Sequence, residues 1–108
     1  MTNTLKLVLT DRWFEEIKSG RKTHEYRRAT RYWFRRLIDF PYTTNEVINI
    51  DKGIFPKKFD YVQFQKAYRK NPERMIFFIK KIMMINGENT DLHIDEPVYD
   101  IELGERVK

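Results

Sequence analysis

The longest apolar run of the chain, Met75 to Ile85, is broken only by Lys80 and Lys81. It falls short of the roughly 18 apolar residues that a membrane-spanning helix needs, so the rest of the chain has to cover it. Its β-branched and aromatic residues favour an extended strand, and it lacks the polar face at helical spacing that an amphipathic helix would present. Neighbouring residues of a regular strand point to opposite faces, so two adjacent lysines escape the core only where the strand bends or bulges. A bend is therefore expected near Lys80 and Lys81.

Other segments fit a sheet built around this run. Leu5-Lys6-Leu7-Val8-Leu9 is short and rich in branched side chains, which favours a strand. Phe59 to Gln65 alternates, with Val62 and Phe64 on one face and Tyr61 and Gln63 on the other. Val98 to Leu103 is the last strand, expected to turn Tyr99, Ile101 and Leu103 inward and Asp100 and Glu102 outward. Asn86-Gly87 closes the long strand, although the segment after it exceeds a two-residue hairpin turn.

Two helices are expected near the N-terminus. The first starts after Thr10 or Asp11, either of which offers a side-chain oxygen to the free N–H groups of the first turn. It buries Trp13, Phe14 and Ile17, turns Arg12, Glu15, Glu16 and Lys18 outward, and stops at Ser19-Gly20. The second runs from Arg28 to Ile38 with Thr30 as cap and Trp33, Phe34, Leu37 and Ile38 on its apolar side. Arg35 and Arg36 read as its solvated face. Asp39 to Lys58 contains Pro41, Gly53, Pro56 and one short strand candidate, Val47 to Ile50. A connection of this length without secondary structure is uncommon, so part of it is expected to be ordered or functionally mobile.

These elements make an α+β domain: a small mixed β-barrel or strongly curved sheet with helices covering its openings. At 108 residues the chain fits a single domain, 1–108. It has no cysteine, which removes thiolate metal sites, redox pairs and disulfides. The two histidines, His24 and His93, stand in unrelated contexts, so no metal or other cofactor is expected. The first residues lack the charged and apolar regions of a secretory signal, and a cytoplasmic protein without membrane partners is the expectation.

Charge is distributed unevenly. From Lys18 to Arg36 the basic residues are Lys18, Arg21, Lys22, Arg27, Arg28, Arg31, Arg35 and Arg36, opposed only by Glu25, whereas the last quarter of the chain is acidic. A positive surface of this kind suits a phosphate-bearing partner, and it equally suits a solvated face that keeps the protein soluble. Within it, Gly20-Arg21-Lys22-Thr23-His24-Glu25-Tyr26-Arg27 places charges of both signs on what reads as an extended segment, Lys22 to Arg27. As a regular strand, it would put Thr23, Glu25 and Arg27 on one face and Lys22, His24 and Tyr26 on the other. Two roles stand open for Lys22, Glu25 and Arg27: a structural ion network, or a site where Lys22 acts as a base and Glu25 orients a proton. Arg27, Arg28 and Arg31 flank the segment and offer forked donors to phosphate.

Gly20, Lys22, Glu25 and Arg27 match all four defined positions of a G-x-K-x-x-E-x-R signature, placed after one strand and one helix. The segment resembles the signature of the ASCH domain family. Phe59-Asp60-Tyr61-Val62-Gln63-Phe64 resembles the family's middle strand, and Ile101-Glu102-Leu103-Gly104 its terminal one, so the resemblance spans most of the chain except Asp39 to Lys58. It implies a PUA-like β-barrel, with the motif lining a cleft that holds RNA or a nucleotide. Lys22, Glu25 and Arg27 would be its site residues and Gly20 the tight turn that presents them. Arg28 and Arg31 would assist with phosphate, and Tyr26 or Tyr68 would stack on a base. Some relatives are hydrolases of acetylated cytidine, and others look like ribonucleases. The amidohydrolase branch carries a threonine where this chain has Glu25, and a carboxylate does not replace a nucleophilic hydroxyl without changing the chemistry. RNA or nucleotide binding is the leading expectation. A metal-independent hydrolase, with Lys22 and Glu25 catalytic and a ribonuclease favoured over an amidohydrolase, is the alternative.

Overall fold

A computed structural model describes residues 4–37 and 59–108. The described residues form an α+β fold of five strands and two helices: β1 (Thr4–Leu9), α1 (Asp11–Lys18), β2 (His24–Arg28), α2 (Arg31–Leu37), β3 (Tyr61–Lys66), β4 (Arg74–Asn86) and β5 (Pro97–Arg106). The strands make one sheet in the order β1-β3-β4-β5-β2. The expected strand at Val47 to Ile50, and Ile38 of the second helix, lie outside the described residues. No helix among the described residues is long and apolar enough to cross a membrane.

The chain divides into two compact units. The first comprises Met1–Glu25, Lys58–Lys81 and Glu102–Lys108, the second Tyr26–Lys57 and Ile82–Ile101. In the first unit, β1 and β3 run parallel, with Leu5 beside Val62 and Leu7 beside Phe64. Leu5, Leu7, Leu9, Val62 and Phe64 are all buried. Their alternation in sequence thus becomes one apolar face, and α1 packs on it through Phe14 and Ile17. β3 then pairs antiparallel with β4, opposing Val62 to Phe77 and Phe64 to Met75. Phe64 and Phe77 meet edge to face at 6.0 Å.

The polar side of α1 carries Asp11, Glu15 and Lys18, one turn apart in sequence. Each meets an opposite charge on the β3–β4 side: Arg69 for Asp11, Lys66 for Glu15 at 3.0 Å, and Glu73 for Lys18 at 2.7 Å. The bond to Glu73 and its charge hold Lys18 above the usual lysine range, and the reciprocal bond holds Glu73 below the usual carboxylate range. All these pairs are solvated, so they orient the helix more than they stabilise it.

In the long strand, Met75, Ile76 and Phe77 are buried in succession and Lys80 and Lys81 are both exposed, so burial does not alternate strictly along it. In the second unit, Val98, Tyr99, Asp100 and Ile101 of β5 are all buried. Successive strand residues point to opposite faces, so both faces are covered here. The expected outward position of Asp100 is therefore wrong. Glu102 is half-buried and lies 3.8 Å from Lys81.

Gly87 organises the turn that follows β4. Its N–H donates to Glu96 O at 2.8 Å, and its carbonyl accepts from the Thr90 hydroxyl at 2.8 Å and from the N–H groups of Thr90 and Ile94 at 3.2 Å. A Cβ at this position would stand 2.7 Å from Val98 Cγ1 and 3.0 Å from the Ile94 carbonyl oxygen. Ile94 also donates its N–H to the Gly87 carbonyl, so the crowded oxygen belongs to the same hydrogen-bonded turn. Gly87→Ala is expected to cost about 2 kcal/mol in urea denaturation, through overpacking. An unchanged midpoint would show that the turn yields freely.

Candidate functional site

Lys22 and Glu25 meet because the chain does not run straight out of α1. Ser19 ends the helix, and Gly20 takes φ +86°, a left-handed conformation that suits a residue without Cβ. Gly20 N–H donates to Ile17 O at 3.1 Å, and Lys22 N–H donates back to Glu16 O at 3.1 Å. Lys22 is thereby tied to the last turn of the helix. The Thr23 carbonyl accepts from Leu103 N–H at 2.9 Å, which fixes the approach to β2.

β2 begins at His24, not at Lys22. A regular strand from Lys22 would have sent Lys22 and Glu25 to opposite faces. With Lys22 held in the turn, its Nζ reaches Glu25 Oε1 at 3.2 Å. The same ammonium sits 4.5 Å from the centroid of the Trp13 ring, a cation–π distance. The two charged side chains are only 11% and 8% exposed. A lysine and a glutamate withdrawn this far from water are costly to keep, and their mutual attraction has to offset the lost hydration.

Trp13 departs from its expected role as core. It is half-buried, and its ring carries Arg12 at 4.5 Å as well as Lys22. The i, i+1, i+4 spacing with Phe14 and Ile17 marked it as apolar packing. The backward turn at Gly20 is what brings a cation onto it.

The remaining candidates fall in different places. In the second unit, Arg27 lies 5.0 Å over the Trp33 ring. Arg28 ends β2 and pairs with Glu96 at 2.9 Å, so the second helix starts at Arg31 and not at Arg28. Thr30 does cap it, its hydroxyl accepting from Trp33 N–H at 3.4 Å and its carbonyl from Phe34 N–H at 2.8 Å. Arg28, Ala29, Thr30, Glu96 and Pro97 line a cleft of about 180 Å³. Arg31 is exposed and Tyr26 half-buried. In the first unit, Tyr68 is 88% exposed on the connection between β3 and β4. His24 is half-buried on β2, and His93 is exposed in the turn before β5. Among the described residues, no three His, Asp or Glu side chains gather as a metal site would require. Compared with known proteins, the chain matches no family model, no curated protein and no solved structure.

Proposed function

We propose that the chain is an RNA- or nucleotide-binding domain of the ASCH type, with its sheet belonging to a PUA-like β-barrel and with Lys22 and Glu25 as the ligand-contacting pair. The observation that carries this reading is the Lys22–Glu25 ion pair, nearly withdrawn from water and seated against Trp13. Lys22 offers a charged donor for a phosphate or a base-edge acceptor, Glu25 accepts from an exocyclic amine, and Trp13 keeps the ammonium in place. The basic stretch from Lys18 to Arg36 supplies the long-range attraction for a polyanion.

Fluorescence anisotropy of labelled single-stranded RNA, titrated at several salt concentrations, tests the proposal. Affinity should fall steeply as salt rises. Lys22→Met combined with Glu25→Gln should weaken binding by about tenfold, the loss of one charge-assisted contact. The absence of any salt-sensitive affinity for RNA would sink the proposal. Cleavage of the labelled RNA in the presence of chelator would instead turn it into a metal-independent ribonuclease, with Lys22 stabilising the negative charge that develops on the phosphorane oxygens and Glu25 moving a proton.

A further inference from the structure

The side chains of α2, together with Arg27 of the motif, form a cluster in which Tyr32, Trp33 and Arg36 have no part in the expected ligand site. Arg36 was expected on a solvated face, yet its guanidinium lies 5.2 Å over Trp33 and 5.7 Å over Tyr32, and its Nη1 donates to the Tyr32 hydroxyl at 3.1 Å. Arg27 lies over the same Trp33 ring at 5.0 Å. Tyr32 and Trp33 stand edge to face, 4.9 Å apart. Four side chains therefore hold one another in fixed orientations, while Tyr32 remains 59% exposed. Arg31 and Arg35, on either side in sequence, are exposed too. No acidic residue occurs between Tyr26 and Ile38, against five arginines: Arg27, Arg28, Arg31, Arg35 and Arg36.

We infer that this face of α2 is a stacking platform for a single-stranded nucleic acid. It rests on the nucleic-acid reading above for the class of partner and adds a second contact surface, distinct from Lys22 and Glu25. An exposed ring that an arginine already holds in orientation loses little freedom when a base stacks on it, and every base offers a π-face. Arg31, exposed on the same helix, supplies a forked donor for a phosphate beside that base. An acidic peptide would satisfy the arginines and leave the ring unused. A single strand satisfies both.

The test uses the intact chain and a labelled oligouridylate of roughly a dozen nucleotides, close to the site sizes of single-strand binders. Uridine monophosphate and heparin serve as separate probes. Tyr32→Leu should weaken the oligonucleotide about tenfold, the effect of losing one stacked base, and Tyr32→Phe should stay within about twofold of the native chain. Heparin, which has charge and no bases, should bind Tyr32→Leu as it binds the native chain. Arg31→Gln should lower the salt slope for the oligonucleotide by about 0.7, the value of one phosphate contact on a single strand. Affinity for uridine monophosphate, set by Lys22 and Glu25, should not respond to Tyr32→Leu or Arg31→Gln.

Native affinity for the oligonucleotide in both Tyr32→Leu and Arg31→Gln would overturn the inference, as would an equal loss for heparin in Tyr32→Leu. If only the Lys22→Met, Glu25→Gln double variant loses binding, the motif reading stands and the platform falls. If the native chain binds no nucleic acid, both fall together. Far-UV circular dichroism of Tyr32→Leu confirms that the fold persists, and Arg31→Gln supplies an independent arm should it not.

Discussion

Lys22→Met is expected to lower the unfolding free energy by roughly 3 kcal/mol, and adding Glu25→Gln should restore most of that loss. The ion pair spans 3.2 Å between groups only 11% and 8% exposed. Methionine matches the length of the lysine stem and keeps contact with Trp13, so packing changes little. What changes is that Glu25 retains its charge without its nearby ammonium. A carboxylate withdrawn from water that loses a cation 3.2 Å away is destabilising, whereas a neutral pair of similar volume is often tolerated or even favourable. The two variants thus separate stability from binding. Urea denaturation should show a deep loss in the single variant and a near-native midpoint in the double one, while RNA affinity falls about tenfold in the double variant despite its restored fold. A double variant that is stable and still binds RNA as tightly as the native chain would make the pair a structural ion network.

A second large effect is expected at alkaline pH from Tyr99. Its side chain is fully buried in β5, and its hydroxyl has no hydrogen-bond partner among the described residues. Burial raises its pKa from 10.0 to about 12. The sign follows from where the proton is held. Below about pH 10 the phenol is neutral in both states and its contribution is fully present. Between about pH 10 and pH 12 the unfolded chain gives up the proton and the folded chain keeps it, so stability falls as pH rises through that window. The loss amounts to roughly 2–3 kcal/mol. The chain has six tyrosines and many lysines that titrate nearby, so the measurement is the difference between the native chain and Tyr99→Phe. Phenylalanine removes the ionisable group and an unpaired buried hydroxyl together. Its variant should be at least as stable at pH 7 and should lack this part of the alkaline slope. Parallel slopes in the two proteins from pH 9 to pH 12 would mean that Tyr99 ionises as freely folded as unfolded.

The strands that alternate in sequence were legible, because a half-buried strand writes its two faces directly into residue order. Val62 and Phe64 against Tyr61 and Gln63 are a clear instance. The stop of α1 at Ser19-Gly20 was legible for a local reason, since only the last helical turn and one left-handed residue decide it. Asp100 was misjudged because its surroundings come from distant parts of the chain, and a charged side chain by itself suggests water. Lys22 was assigned to a strand by its neighbours' β-propensity. A single backbone bond to Glu16 overrides that preference and reverses the direction of its side chain. Lys22 and Glu25 could be named in advance as members of one charged network, but the contact with Trp13 could not, since it depends on a turn that brings residues nine positions apart face to face. Tyr32 and Arg36 had a readable relation at i, i+4 spacing, yet the charge of Arg36 suggested solvent before stacking.

The parallel pairing of β1 with β3 bears on how the chain folds as well as on what it becomes. Each residue of β1 pairs with one 57 positions later. No hairpin can make that contact, so a long loop must close before the strand gains any hydrogen bonds, and contacts of this separation slow folding. Once closed, the pairing depends only weakly on how long the loop is: doubling its length costs only about 0.6 kcal/mol. Selection could therefore lengthen a connection within the intervening chain at little thermodynamic expense, with the penalty falling on the rate of assembly.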